Sequence, residues 1–169
     1  MGALELIQQY EFLGKEFLTY LWYIGESNQG VVELKNDMNL EIYLEKNLCL
    51  ESEFGDVKKT TLSGDDPSVS REAKTALSEG KQLSRAKFKM IIDNIEWHFS
   101  LDAKTLDLKS VQIPKVSGPS EDSILIYRIK AFEKFAQIID GLFFTFMRIR
   151  IDDNKWGLEL VKIKQWINS

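Results

Sequence analysis

With 169 residues, 44% of them hydrophobic and 28% charged, the chain is long enough to bury a core and is composed like neither a disordered nor a fibrous protein. A single cysteine, Cys49, excludes an internal disulfide and fits a reducing compartment. The net charge of −4 argues against a protein that coats nucleic acid with its whole surface, but the charge is uneven: residues 1–56 carry 11 acidic and 3 basic side chains, whereas residues 81–115 carry 4 and 7.

Residues 3–24 predict a first helix. Leu6, Tyr10, Leu13, Phe17, Leu21 and Ile24 recur three or four apart, Phe12, Trp22 and Tyr23 widen the stripe, and Gly25 opens a loop. Three short strands are expected next, Val31–Leu34, Leu40–Glu45 and Asn47–Glu53, with Lys46-Asn47 as a tight turn that makes the last two a hairpin. Val57–Leu62 reads as another strand. After the break Ser63-Gly64-Asp65-Asp66-Pro67, Ser68 or Ser70 can cap a short helix from about Arg71 to Ser78, stopped by Gly80. Leu83–Ile92 and Ile95–Leu101 alternate cleanly around Asp93-Asn94, the clearest hairpin in the chain, and Leu106–Ile113 extends the pattern up to Pro114. Beyond Ser117-Gly118-Pro119-Ser120, a long helix is expected from about Ser123 to Phe144 or further. Thr145–Ile151 alternates and is open to a strand reading, and Lys155–Ile167 fits either a strand or a helix.

The expected fold is a single α+β domain over 1–169, an antiparallel sheet of hairpins packed with an N-terminal helix and a long C-terminal helix; the break also permits two lobes split near 63–67. The start, MGALEL, lacks the basic segment and cleavage site of a secretory signal, and Leu6 stands where a myristoylation signal carries Ser or Thr. The most apolar stretch, Ile138–Met147, is interrupted by Asp140 and Gly141 and is too short to cross a bilayer, so a cytoplasmic protein without a membrane partner is expected.

Few residues suggest catalysis. His98 is the only histidine and lies opposite Trp97 and Phe99 on its strand, which reads as a sheet-surface residue. Cys49 alternates with Leu48 and Leu50 and reads as a small buried hydrophobe. Gly80-Lys81 lacks the upstream glycine of a phosphate loop, and Asp65-Asp66 and Asp152-Asp153 read as turn chemistry. Tyr20, Trp22 and Tyr23 read as core. No enzyme, cofactor or metal is expected.

Basic residues make the stronger pattern. Arg85, Lys87 and Lys89 occupy alternate positions of KQLSRAKFKM and fall on one strand face about 7 Å apart, a spacing able to follow a phosphate backbone without reading sequence. The competing reading is a solvated sheet face kept soluble by its charges.

ALSEGKQLSRAKFKMIIDNIEWHF, Ala76 to Phe99, resembles the C-terminal half of the recombination-associated RdgC family: a short helix, Glu-Gly-Lys, an aliphatic residue, Ser-Arg, then a hairpin. Phe12–Tyr23, Val57–Leu62 and Asp122–Leu142 resemble further pieces of that half in the same order. The resemblance implies an α+β protein that forms a homodimer, binds duplex DNA with little sequence preference, associates with the nucleoid and antagonises a recombinase. By match to the motif, Lys59 and Lys81 would touch DNA, with Lys58 beside the first and Arg85 also fitting; Lys87 and Lys89 join them on strand geometry. The expected function is therefore sequence-nonspecific duplex DNA binding related to recombination control. The alternative is a protein–protein interaction module that uses the acidic N-terminal third and the aromatic helices.

Overall fold

The computed structural model describes residues 9–34, 38–52, 58–64 and 67–169. In chain order they form helix α1 (Glu11–Ser27), strands β1 (Val31–Leu34), β2 (Met38–Glu51) and β3 (Lys59–Ser63), and helix α2 (Pro67–Ser78). Strands β4 (Gln82–Ile92), β5 (Ile95–Asp102) and β6 (Leu108–Gln112) follow, then helices α3 (Glu121–Arg150) and α4 (Asp153–Ile167). The fold is α+β, as expected. The part of the first predicted helix over 3–8, Asp65-Asp66, and residues 53–57 of the predicted strands lie outside the described residues.

All strand pairs are antiparallel in one six-stranded sheet of order β1-β2-β4-β5-β6, with β3 also on β2. The long β2 offers one edge to β4 along its length and divides the other between β1 and β3. The predicted hairpin at Lys46-Asn47 is a correction: 38–51 is a single strand. Glu45 pairs with Lys87 and Leu48 with the adjacent Ala86, so Lys46 and Asn47 form a bulge. A polar pair between two alternating apolar runs looks the same in sequence whether the chain reverses or bulges; here β4 spans both halves and holds them in line. The β4–β5 hairpin turns at Asp93 (φ 50°) and Asn94 (φ 64°), both left-handed as a type I′ turn requires.

The helices lie on one face of the sheet. Leu40, Ile42, Leu48 and Leu50 of β2, Ala86, Phe88, Met90 and Ile92 of β4, and Trp97, Phe99 and Leu101 of β5 are buried there. Phe17, Leu18 and Leu21 of α1 join the same core, as do Phe135, Phe143 and Phe146 of α3. Phe135 stacks on Trp97 at 4.8 Å, and Phe17 meets Phe143 edge-on at 5.2 Å. Burial of Ile138, Ile139, Leu142, Phe143 and Phe146 at helical spacing decides Thr145–Ile151: α3 runs on to Arg150, and the alternation there is incidental. Lys155–Ile167 is helical, capped by Asp152, whose side chain accepts from Lys155 N–H. Ser120 and Ser123 form a reciprocal capping box at the start of α3, two residues earlier than expected. Among the described residues no helix is long and apolar enough to cross a membrane.

Candidate nucleic-acid interface

Among the described residues no helix packs on the second face of the sheet, and strand alternation puts Arg85, Lys87 and Lys89 on it, opposite Ala86, Phe88 and Met90. Register then decides what surrounds them. Lys87 sits across from Glu45 on β2 and Ser100 on β5, and Lys89 across from Tyr43 and His98. Lys87 Nζ lies 2.9 Å from Glu45 Oε2, an ion pair without the angle of a hydrogen bond. Lys89 Nζ is 3.9 Å from Glu96 Oε1 and 5.5 Å from the centre of the Tyr43 ring. His98 bridges the two carboxylates, Nδ1 at 2.6 Å from Glu45 Oε1 and Nε2 at 2.9 Å from Glu96 Oε1. Partial burial raises the Glu45 carboxyl, but the adjacent Lys87 ammonium and the hydrogen bond with His98 outweigh it and hold the group below its ordinary range. The Tyr43 hydroxyl donates to Glu41 Oε2 at 2.6 Å.

The row is thus one half of a cross-strand ladder of opposite charges. Among the described residues five cations on this face, Lys59, Arg85, Lys87, Lys89 and Lys109, share it with five carboxylates, Glu41, Glu45, Glu51, Glu96 and Asp102. Lys58, Lys59 and Arg85 are exposed and have no ion-pair partner among the described residues. Lys59 and Arg85 flank β2 at the same end of the face, two strands apart, about 10 Å across the sheet.

Lys81 is elsewhere. The end of α2 closes with Gly80 left-handed (φ 93°), Gly80 N–H donating to Leu77 O and Lys81 N–H to Ala76 O. A bulge at Ser84, between Leu83 and Arg85, leaves Lys81 on the helix side of the sheet with the buried Leu83, and its Nζ donates to Thr60 Oγ1 at 2.7 Å. The structure therefore groups Arg85, Lys87 and Lys89 with Lys59 on the open face and separates Lys81 from them.

Two features escaped the sequence argument. Leu125, Ile126, Tyr127, Ile129 and Phe132, in the N-terminal half of α3, are 56%, 54%, 45%, 51% and 39% exposed. Periodicity marks a helix here but cannot say which of its apolar side chains a neighbouring element covers. The other is Glu26, which joins three helices. Its carboxylate accepts from Trp22 Nε1 at 2.7 Å and Trp166 Nε1 at 2.8 Å, and lies 3.0 Å from Lys74 Nζ. Burial acts to raise its pKa, and the bonds from Lys74, Trp166 and Trp22 together bring it below the ordinary value. Burial and the nearby Glu159 push the Tyr20 hydroxyl up to about 12.

Among the described residues no group of three or more His, Cys, Asp or Glu side chains is placed to hold a metal ion. No protein-family model, curated protein or solved structure matches the chain.

Proposed function

We propose that the protein is an association module that pairs with a second copy of itself through the N-terminal half of α3. The observation that carries this is one line of apolar side chains that is covered at one end only. Leu125, Ile129 and Phe132 follow one another at helical spacing, and Phe143 lies on the same line about five turns beyond Leu125. At Phe143 the line is fully buried against Phe17 of α1; at Leu125 nothing among the described residues covers it.

The open part, with Ile126, amounts to roughly 400 Å² of side-chain surface, within the range that marks the largest patch on a monomer. Together with the stems of Arg128 and Lys130 it approaches the ~800 Å² per partner of a stable interface. A two-fold contact sets this patch against itself. In an antiparallel pair, the acidic first turn of one helix (Glu121, Asp122) lies opposite Arg128 of the other, which supports a like partner. Sedimentation equilibrium tests the reading: the protein is expected to be a dimer, and Ile129→Asp a monomer with an unchanged far-UV spectrum. A wild-type monomer at tens of micromolar, about the Kd range expected of a small interface, refutes it.

A second reading, duplex DNA binding with a role in recombination control, is favoured by Lys58, Lys59 and Arg85, which no carboxylate neutralises among the described residues. It ranks below the first because Lys87 and Lys89 are already answered by Glu45 and Glu96. In a salt-titrated gel shift this reading expects retention of random duplex that weakens steeply from about 50 to 200 mM salt and is reduced by Arg85→Glu but not by Lys81→Glu. No retention at the lower salt rejects it.

A further inference from the structure

Lys81 enters a cleft of about 520 Å³ between α1, the end of α2, the start of β4 and α4. That volume lies within the ~300–1,000 Å³ typical of small-molecule sites. Its floor is one face of α4: Trp156, Leu160, Ile163 and Ile167 recur at spacings of four, three and four, and Leu77 of α2 adds to them. Trp156 and Ile163 are buried, while Leu160, Ile167 and Leu77 are half-buried, so the apolar stripe is packed below and open above.

The rim has the opposite chemistry. Lys15, Lys81 and Lys164, from three separate elements, line the same cleft. The one carboxylate among the lining side chains, Glu16, is already held by Arg150 Nε at 2.6 Å. The ammonium of Lys81 has only a neutral partner, Thr60, and neither Lys15 nor Lys164 has an ion-pair partner among the described residues. An apolar trough edged by three cations in a chain of net charge −4 is a local asymmetry that a neutral ligand would leave unanswered.

We infer that this cleft binds a single-chain amphiphilic anion, an alkyl chain on the α4 stripe with its carboxylate or phosphate head among Lys15, Lys81 and Lys164. A short flexible chain matches a floor made by one helix face, and a charged head gains charge-assisted hydrogen bonds that a hydroxyl does not. This inference does not depend on pairing through α3, which uses the other end of the molecule's helical layer.

The test is calorimetric titration of the full chain with dodecanoate and dodecyl phosphate, each below its micellar concentration, alongside dodecanol and dodecyltrimethylammonium. Quenching or shift of the tryptophan emission provides a second readout, because Trp156 lies in the floor. Both anions are expected to bind saturably at one site per chain, dodecanol about tenfold or more weakly, and the cation not at all. Lys15→Gln/Lys81→Gln/Lys164→Gln removes the preference for the anions over dodecanol. If that triple variant fails to fold, Lys164→Gln alone, at an exposed position, still reduces the preference. Equal binding of dodecanoate and dodecanol, or an unaltered preference in a folded lysine variant, overturns the proposal. So does binding only to anionic phosphatidylglycerol vesicles and not to the free amphiphiles, which would assign the lysines to a membrane surface. Preference for dodecanoate over dodecyl phosphate or the reverse identifies which head group the three amines fit.

Discussion

Gly14 and Gly141 both sit inside helices, and alanine in their place is expected to have opposite effects. An ideal Cβ on Gly14 falls 1.7 Å from Ala103 O and 2.7 Å from Ala103 C, so α1 and the turn after β5 cannot both stay in place. Neither can retreat easily. Ala103 is fully buried and its N–H donates to Ser84 O at 2.8 Å, while Leu106 N–H closes the same turn on Asp102 O at 2.9 Å. On the other side, Phe17, Leu18 and Leu21 fix α1 with exposures of 0%, 0% and 1%. Separating the pair to an ordinary contact requires a shift of about 1.5 Å through this packing, a cost of about 3 kcal/mol or more. The helix-propensity gain of alanine returns only about 1 kcal/mol of that. At Gly141 no atom outside the local helix lies within 4 Å of the added Cβ, so the propensity gain of about 0.5–1 kcal/mol is retained. Urea denaturation followed by circular dichroism, at one protein concentration so that association contributes equally, measures both. Gly14→Ala is expected to lose at least about 2 kcal/mol, or roughly 4–8 °C in Tm for a chain of this size, and Gly141→Ala to gain. If the two variants fall within about 0.5 kcal/mol of each other at equal m, the close approach of α1 to Ala103 is wrong.

Glu26→Ala leaves two indole N–H groups and Lys74 without their acceptor; with the carboxylate 38% exposed, solvent screening discounts the loss to about 1–2 kcal/mol, and the near-UV tryptophan signal changes with it. Glu26 and Glu45 both titrate below the ordinary glutamate range in the folded protein, so the stability they contribute is fully present above that range and is lost as pH falls through the lower folded values. Urea midpoints for Glu26→Gln/Glu45→Gln are therefore expected to fall less than wild type between about pH 5 and pH 3, and an equal fall counts against the two clusters. Asn94→Val puts a β-branched side chain at φ 64° and is expected to cost about 1 kcal/mol or more, whereas Asn94→Gly is close to neutral; equal urea midpoints would remove the type I′ assignment.

Where local pattern and tertiary packing agree, the elements were legible. The β4–β5 hairpin has period-two alternation, a turn pair tolerant of positive φ, and a register that confirms both, Phe88 facing Phe99 and Met90 facing Trp97. The start of α3 was legible to within two residues from its acidic first turn, Glu121 and Asp122. The failures occurred where one local pattern serves two structures. Lys46-Asn47 as a turn or as a bulge differs only in whether a third strand runs beside both halves. Thr145–Ile151 alternates in hydropathy, yet α1 offers Phe17 and Tyr20 to a helical stripe ending at Phe146, and that contact decides. For α4 the stripe Trp156, Leu160, Ile163, Ile167 was present, but nothing in the chain marks what it faces.

The same limit governs the basic row. Periodicity assigns Arg85, Lys87 and Lys89 to one face correctly, and it also puts Glu45, Glu96 and His98 on the outward positions of their own strands. What it cannot supply is register, and register brings Glu45 to Lys87 and Glu96 to Lys89. A phosphate approaching Lys87 meets Glu45 within 2.9 Å of the same ammonium, and at that separation the carboxylate repels the ligand nearly as strongly as the amine attracts it. Lys81, which shares the row's stretch of sequence, leaves the face because an extra residue at Ser84 shifts the register between Leu83 and Arg85 and turns the strand positions before it toward the helices. Charge at Lys87 and Lys89 is therefore answered within the sheet, which keeps this antiparallel face in water without leaving the whole row open to a ligand. Unanswered chemistry remains at Lys59 and Arg85 on the sheet and, in the helical layer, along an apolar line on α3 that no described residue covers at Leu125 and at three amines around a trough on α4.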